Sequence, residues 1–167
     1  MKRERDSEGN GTRAATPAKQ LEGFIARYEP AVARLARATR AALRRRLPTA
    51  LELVYDNYQF LAIGYCATER ASDCVVSLAI SPKGVALSFY DGATLPDPKG
   101  LLLGSGNQNR FIRLDGAQTL AKPGVEALLR AAIAQAKTPL PAKGRGRLVI
   151  KSVSKKQRPR RPASRSR

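Results

Sequence analysis

The chain has 167 residues and a mass of 18.1 kDa, room for one domain of ordinary size. Lys and Arg total 31 against 13 acidic residues, a net charge of +18, and histidine is absent. That excludes Ser/His and Cys/His dyads, His-ligated zinc and an imidazole base, and no apolar run approaches the ~18–20 residues of a membrane span.

The predicted elements begin after a polar stretch. Residues 1–19 are rich in charge, Gly, Ser and Thr and are expected to be disordered. Leu21, Phe24, Ile25 and Tyr28 repeat at helical spacing and predict a short helix. Pro30 suits the first turn of a second helix, with Glu29 favourably placed at its N-terminus. Along that helix Val32, Leu35, Thr39, Leu43 and Leu47 form an apolar stripe, Arg34, Arg37, Arg44 and Arg45 face the other way, and Pro48 ends it.

The period then changes. Leu51 to Tyr55, Gln59 to Cys66, Cys74 to Ile80 and Val85 to Tyr90 are β-prone runs separated by turn residues. Such short connections favour antiparallel neighbours. Asp97-Pro98 predicts an N-cap, and Leu101-Leu102-Leu103-Gly104 a short helix closed by glycine. Phe111 to Leu114 reads as a fifth strand. Pro123 opens a helix with Val125, Leu128, Leu129, Ala132, Ile133 and Ala136 on one face, and Leu148 to Ile150 is a last strand or extended segment. The order implies an α+β domain over 20–153: a mostly antiparallel sheet of about five strands, with N-terminal helices and a C-terminal helix packed on it.

Charge is unevenly placed. Residues 51–140 carry eight groups of each sign, residues 21–50 seven Arg against Glu22 and Glu29, and residues 141–167 eleven cations and no acid. Residues 154–167 lack any large apolar side chain and are expected to form a disordered basic tail. Arg34, Arg37, Arg44 and Arg45 on the helix, with Lys155, Lys156, Arg158, Arg160 and Arg161 in the tail, are the candidate contacts for a polyanion such as nucleic acid. No aromatic lies in the tail to stack a base, so the contact read here is non-specific.

Other clusters support weaker readings. Cys66 and Cys74 lack the partners zinc requires and read as buried, reduced thiols, or else as one reactive thiol. Gly104-Ser105-Gly106 follows a helix rather than preceding one, so it reads as a cap and turn, although Arg110 beside it could hold an anion. Tyr55, Asp56, Asn57 and Tyr58, then Glu69, Arg70 and Asp73, and Asn109 and Arg110, are candidates for a small-ligand pocket, with Asp56 or Glu69 as acid or base. The competing reading is that they are ordinary turn residues. No catalytic constellation is recognised.

Val54-Tyr55-Asp56-Asn57-Tyr58, Thr68 to Asp73, Leu95-Pro96-Asp97-Pro98 with Gly104 to Asn107, and Lys143 to Ser154 with Lys156-Gln157-Arg158-Pro159 together resemble the YdhG-like family. That is a domain family of unknown function whose members include bacterial frataxin-like iron-binding proteins. The resemblance implies a compact α+β fold and, as an alternative function, iron delivery. No iron ligand is assigned, because the body's acids are scattered along the chain and matched by equal positive charge. No other cofactor is expected. Since the start Met1-Lys2-Arg3 leads into Glu4, Asp6 and Glu8 rather than an apolar stretch, no signal peptide is read and the expected compartment is the cytoplasm.

Overall fold

A computed structural model describes residues 14–163. Helix α1 (Pro17–Ala26) starts at Thr16, whose hydroxyl accepts the Lys19 N–H at 3.3 Å. Residues 17–19, expected to be disordered, are therefore its first turn, and 1–13 lie outside the described residues. Helix α2 (Pro30–Arg46) begins with Pro30 in its first turn, as its fixed φ favours, and Pro48 follows its end. Helix α3 (Pro123–Gln135) starts in the same way. It buries Val125, Leu128, Leu129 and Ala132 but leaves Ile133 at the surface.

Between the helices run β1 (Leu51–Asp56), β2 (Leu61–Cys66), β3 (Cys74–Ser81), β4 (Gly84–Phe89) and β5 (Arg110–Leu114), followed by β6 (Leu148–Val153). The sheet has six strands in the order β5-β4-β3-β2-β1-β6. Strands β1 to β5 pair with antiparallel neighbours. Strand β6 adds to β1 in parallel, which makes the sheet mixed. A parallel partner needs a long crossover, and the chain between β5 and β6, which carries α3, supplies it.

One face of the sheet carries Val54, Leu61, Ile63, Tyr65, Leu78, Ile80, Leu87 and Ile112 into a single core with Leu21, Ile25, Leu43, Leu128 and Leu129 of the helices. The alternation of strand side chains puts Glu52 and Asp56, at opposite ends of β1, on that same apolar face.

Three expectations are corrected. Residues 101–104 form no helix: Leu103 makes an isolated antiparallel bridge to Phe111, and the Asp97 carboxylate accepts the N–H groups of Leu101 at 2.8 Å and Leu102 at 2.9 Å. The cap is present, but Gly104 at φ +108° turns the chain toward β5 before a helical turn can close. Cys66 and Cys74 are not free thiols but a cross-strand disulfide between β2 and β3. Gly64 makes room for it, since a Cβ there would lie 2.8 Å from the Cys74 sulfur. Finally, the expected tail is bonded to the body from Ser154 to Arg161, while 164–167 fall outside the described residues.

Alkylating the unfolded, unreduced protein should add no group to cysteine, and reduction should expose two sites by intact mass. Two adducts without reduction would show that the thiols are free.

Candidate anion site and the ends of the sheet

At one end of β1 lies Asp56, 1% exposed. Its Oδ1 accepts from Arg160 Nη2 at 2.8 Å, and Arg27 Nη1 lies 3.4 Å from Oδ2. Arg160 also donates to the Asn57 carbonyl at 2.5 Å, and its guanidinium sits 5.7 Å from the centre of the Tyr28 ring. Its Nε is buried without a hydrogen-bond partner. Backbone bonds hold the same segment: Ser154 N–H to the Asp56 carbonyl and Arg158 N–H to the Tyr58 carbonyl, both 2.8 Å. Arg161 donates to the Arg27 and Ala26 carbonyls at the end of α1 at 3.1 and 3.3 Å. An unpaired buried carboxylate is costly, and Arg160 supplies both opposite charge and donors. Arg160 and Arg161 are thus occupied by the body itself, which corrects their reading as freely exposed contacts.

The other end of β1 repeats the device. Glu52, 4% exposed, takes a two-pronged contact from Arg40, Nε to Oε2 at 2.8 Å and Nη2 to Oε1 at 2.9 Å. The Tyr65 hydroxyl donates to Oε2 at 3.1 Å. Burial, and then the neighbouring Glu52 charge, push the Tyr65 hydroxyl well above its ordinary pKa, so it remains a donor. Burial opposes the Arg40 charge, but the hydrogen bonds and charge of Glu52 prevail and hold it above its usual value. Arg44 approaches Glu52 Oε1 at 3.4 Å.

Beside Glu52 is a cavity of about 340 Å³ lined by Arg44, Arg45, Arg145, Leu47, Pro48 and Gly146, among others. Gly146 packs against the chain entering β1, where a Cβ would meet the Ala50 carbonyl, and its N–H donates to the Pro48 carbonyl at 2.9 Å. That contact brings Arg145 to the end of α2. Glu52 is thus met by two guanidinium groups, Arg40 and Arg44, and Arg45 and Arg145 line the same cavity. The surplus positive charge borders a concave space, where arginine forks suit phosphate oxygens.

The remaining sequence candidates are scattered. Arg34 is exposed, Arg37 pairs with Glu22 at 2.5 Å, and Lys155, Lys156 and Arg158 are exposed at the Asp56 end. The proposed pocket set is divided by the sheet. Asp56, Asn57 and Tyr58 lie at the end of β1, whereas Glu69, Arg70, Asp73, Asn109 and Arg110 lie at the opposite end, beyond β2 and before β3 and β5. Tyr55 pairs in register with Ala62 on the face away from the helices.

Glu69 is taken by Arg147, with Lys151 at 3.9 Å. Asn109 accepts from Ser88 at 2.5 Å, and Arg110 donates to the carbonyls of Gly106 and Asn109. Arg70 and Asp73 alone join a separate cavity of about 270 Å³, with Asp91, Gln108, Gln135 and Thr138. There the Thr68 hydroxyl, helped by Thr138 and Arg70, holds the Asp73 carboxyl below its ordinary pKa. Asp91 is bonded to Gln108 at 2.7 Å, so the polar groups of that cavity serve one another.

Sequence reasoning missed Arg40, Glu52 and Arg145 as a group. Arg40 lies on α2 three residues after Arg37 and four before Arg44, so its place in the arginine series was visible. Its buried partner was not. Among the described residues no three His, Cys, Asp or Glu side chains gather as a metal site would require. No helix there is long and apolar enough to cross a membrane. No protein-family model, curated protein or solved structure matches this chain.

Replacing Arg160 with Ala leaves Asp56 buried and unpaired, and should lower stability in urea by about 3–5 kcal/mol. Converting Asp56 to Asn in the same protein should recover part of that loss. A loss below about 1 kcal/mol would show that the pair does not hold the segment.

Proposed function

We propose that the protein is a non-enzymatic binding module that engages the phosphates of nucleic acid, without reading sequence, through the arginine cavity at the end of α2. The observation that carries this reading is the convergence of Arg44, Arg45 and Arg145 on one concavity whose only carboxylate, Glu52, is already held by Arg40 and Tyr65. Exposed Arg34 on α2 and Lys155, Lys156 and Arg158 beyond the far end of β1 extend the positive surface. With the net charge of +18, they favour electrostatic capture of a polyanion. The tail contributes as a surface fixed on the body rather than as a free arm.

The YdhG-like kinship and a cytoplasmic location belong to the same proposal. The α+β body supports the first. The second requires the Cys66–Cys74 disulfide to persist where thiols are normally reduced, and the complete burial of Cys66 favours its protection. The iron-delivery alternative draws no support from the described residues, whose two buried carboxylates, Glu52 and Asp56, are engaged by arginines.

A duplex oligonucleotide should bind at low salt, with log affinity falling against log salt at a slope near −3 if about three phosphates are engaged. Arg45→Ala with Arg145→Ala should flatten that slope by about 2 and weaken binding to all sequences alike. Absence of binding at low salt, or a slope untouched by the double substitution, would overturn the reading.

A further inference from the structure

We propose that the β1–β2 loop and the folded C-terminal segment form a stacking site for the unpaired bases of a single-stranded nucleic acid; this rests on the phosphate-binding reading above and gives it a preferred ligand. Tyr58 and Phe60 stand two residues apart in this loop, 47% and 37% exposed. The Asn57 N–H donates to the Phe60 carbonyl at 3.0 Å, closing the loop around Tyr58 and Gln59.

The Tyr58 backbone is fixed from the other side, its carbonyl accepting the Arg158 N–H at 2.8 Å and facing Arg160 Nη1 at 3.5 Å. The Tyr58 ring is left for solvent and for Arg158, whose guanidinium lies 5.7 Å from the ring centre. Lys155 and Lys156, both exposed, precede Arg158 on the same segment. Phe60 borders a shallow groove of about 330 Å³ that also carries Lys83 and Arg113, with Asp115 the acid on its rim.

Scattered exposed aromatics need no explanation, but this pair sits on one anchored loop among five cations. The nearest buried acid, Asp56, is already neutralised by Arg160. Exposed rings bordered by cations are what single strands require: every base offers a flat face to stack, and its phosphate needs a positive neighbour. A duplex does not present that face, since its bases are stacked on one another. The tail by itself has no aromatic; it acquires one because Arg160 draws it across the loop.

The test compares a fluorescent 12-nucleotide single strand with its own duplex, as DNA and as RNA, by anisotropy at low salt. At least one single strand should bind tighter than its duplex, and the better-bound sugar identifies the ligand. Tyr58→Leu with Phe60→Leu should weaken single-strand binding by about tenfold or more while leaving duplex binding unchanged. Tyr58→Phe should behave as the parent. Because tryptophan is absent, tyrosine emission should also be quenched by the single strand, and less so in Tyr58→Phe with an intact fold by circular dichroism. If single strand and duplex bind alike, or the leucine pair loses nothing, the stacking site is refuted and phosphate binding stands. If the parent binds neither, both readings fall.

Discussion

A carboxylate placed on the apolar face of a sheet must find a cation, and Asp56 finds Arg160 more than one hundred residues further along the chain. Much of the molecule at that end follows from this pairing. The segment after β6 is drawn back over the end of β1, where Asp56 and Tyr58 offer it backbone acceptors. Arg27 and Arg161 tie it to the end of α1, and Tyr28, buried beneath, presents its ring to the Arg160 guanidinium. Tyr28 in turn donates its hydroxyl to the Ile80 carbonyl at 2.9 Å, so the ion pair is continuous with the core. Burial keeps that hydroxyl above its ordinary pKa, and hence protonated.

Glu52 answers the same constraint at the opposite end of β1, about 13 Å away at the ~3.3 Å rise of a strand residue. The two carboxylates together change how the charge of the chain is read. Counted along the sequence, the middle of the protein is neutral and its ends are basic. In the fold, two of the acids in that neutral middle are buried, and each faces two arginines. Each is buried with a neutralising arginine, Arg160 or Arg40, so neither is left to screen a ligand at the surface, while the second arginine at each, Arg27 or Arg44, stays half exposed. The arginine cavity and the cationic rim of Tyr58 stand at the two ends of one strand for this reason.

The elements governed by local chemistry were legible in advance. Pro30 and Pro123 mark helix starts because a fixed φ and a missing N–H suit a first turn, and the antiparallel order of β1 to β4 follows from alternation and short turns. The parallel placement of β6 was not legible, because nothing in Leu148 to Ile150 states which edge of the sheet it will join. The lost helix at Leu101 shows a local cap overridden by the bridge to Phe111. The disulfide depended on register, which brings Cys66 opposite Cys74 only after the β2–β3 pairing is set. The tail was misread because composition correctly reported that it has no apolar side chain to bury, whereas it is a charged one that goes inside. Of the site, the arginine series on α2 was visible as a helical face; Arg145 and the buried Glu52 required the third dimension.

Hydrogen exchange at the backbone of Ser154 and Arg158 tests the central claim most directly, since those two amides donate to the Asp56 and Tyr58 carbonyls only if the segment is held down. The account requires both to exchange far more slowly than an open chain, and to lose that protection in Arg160→Ala. Exchange at the open-chain rate in the parent protein would mean that the segment is free, and would contradict the structure's organisation around Asp56.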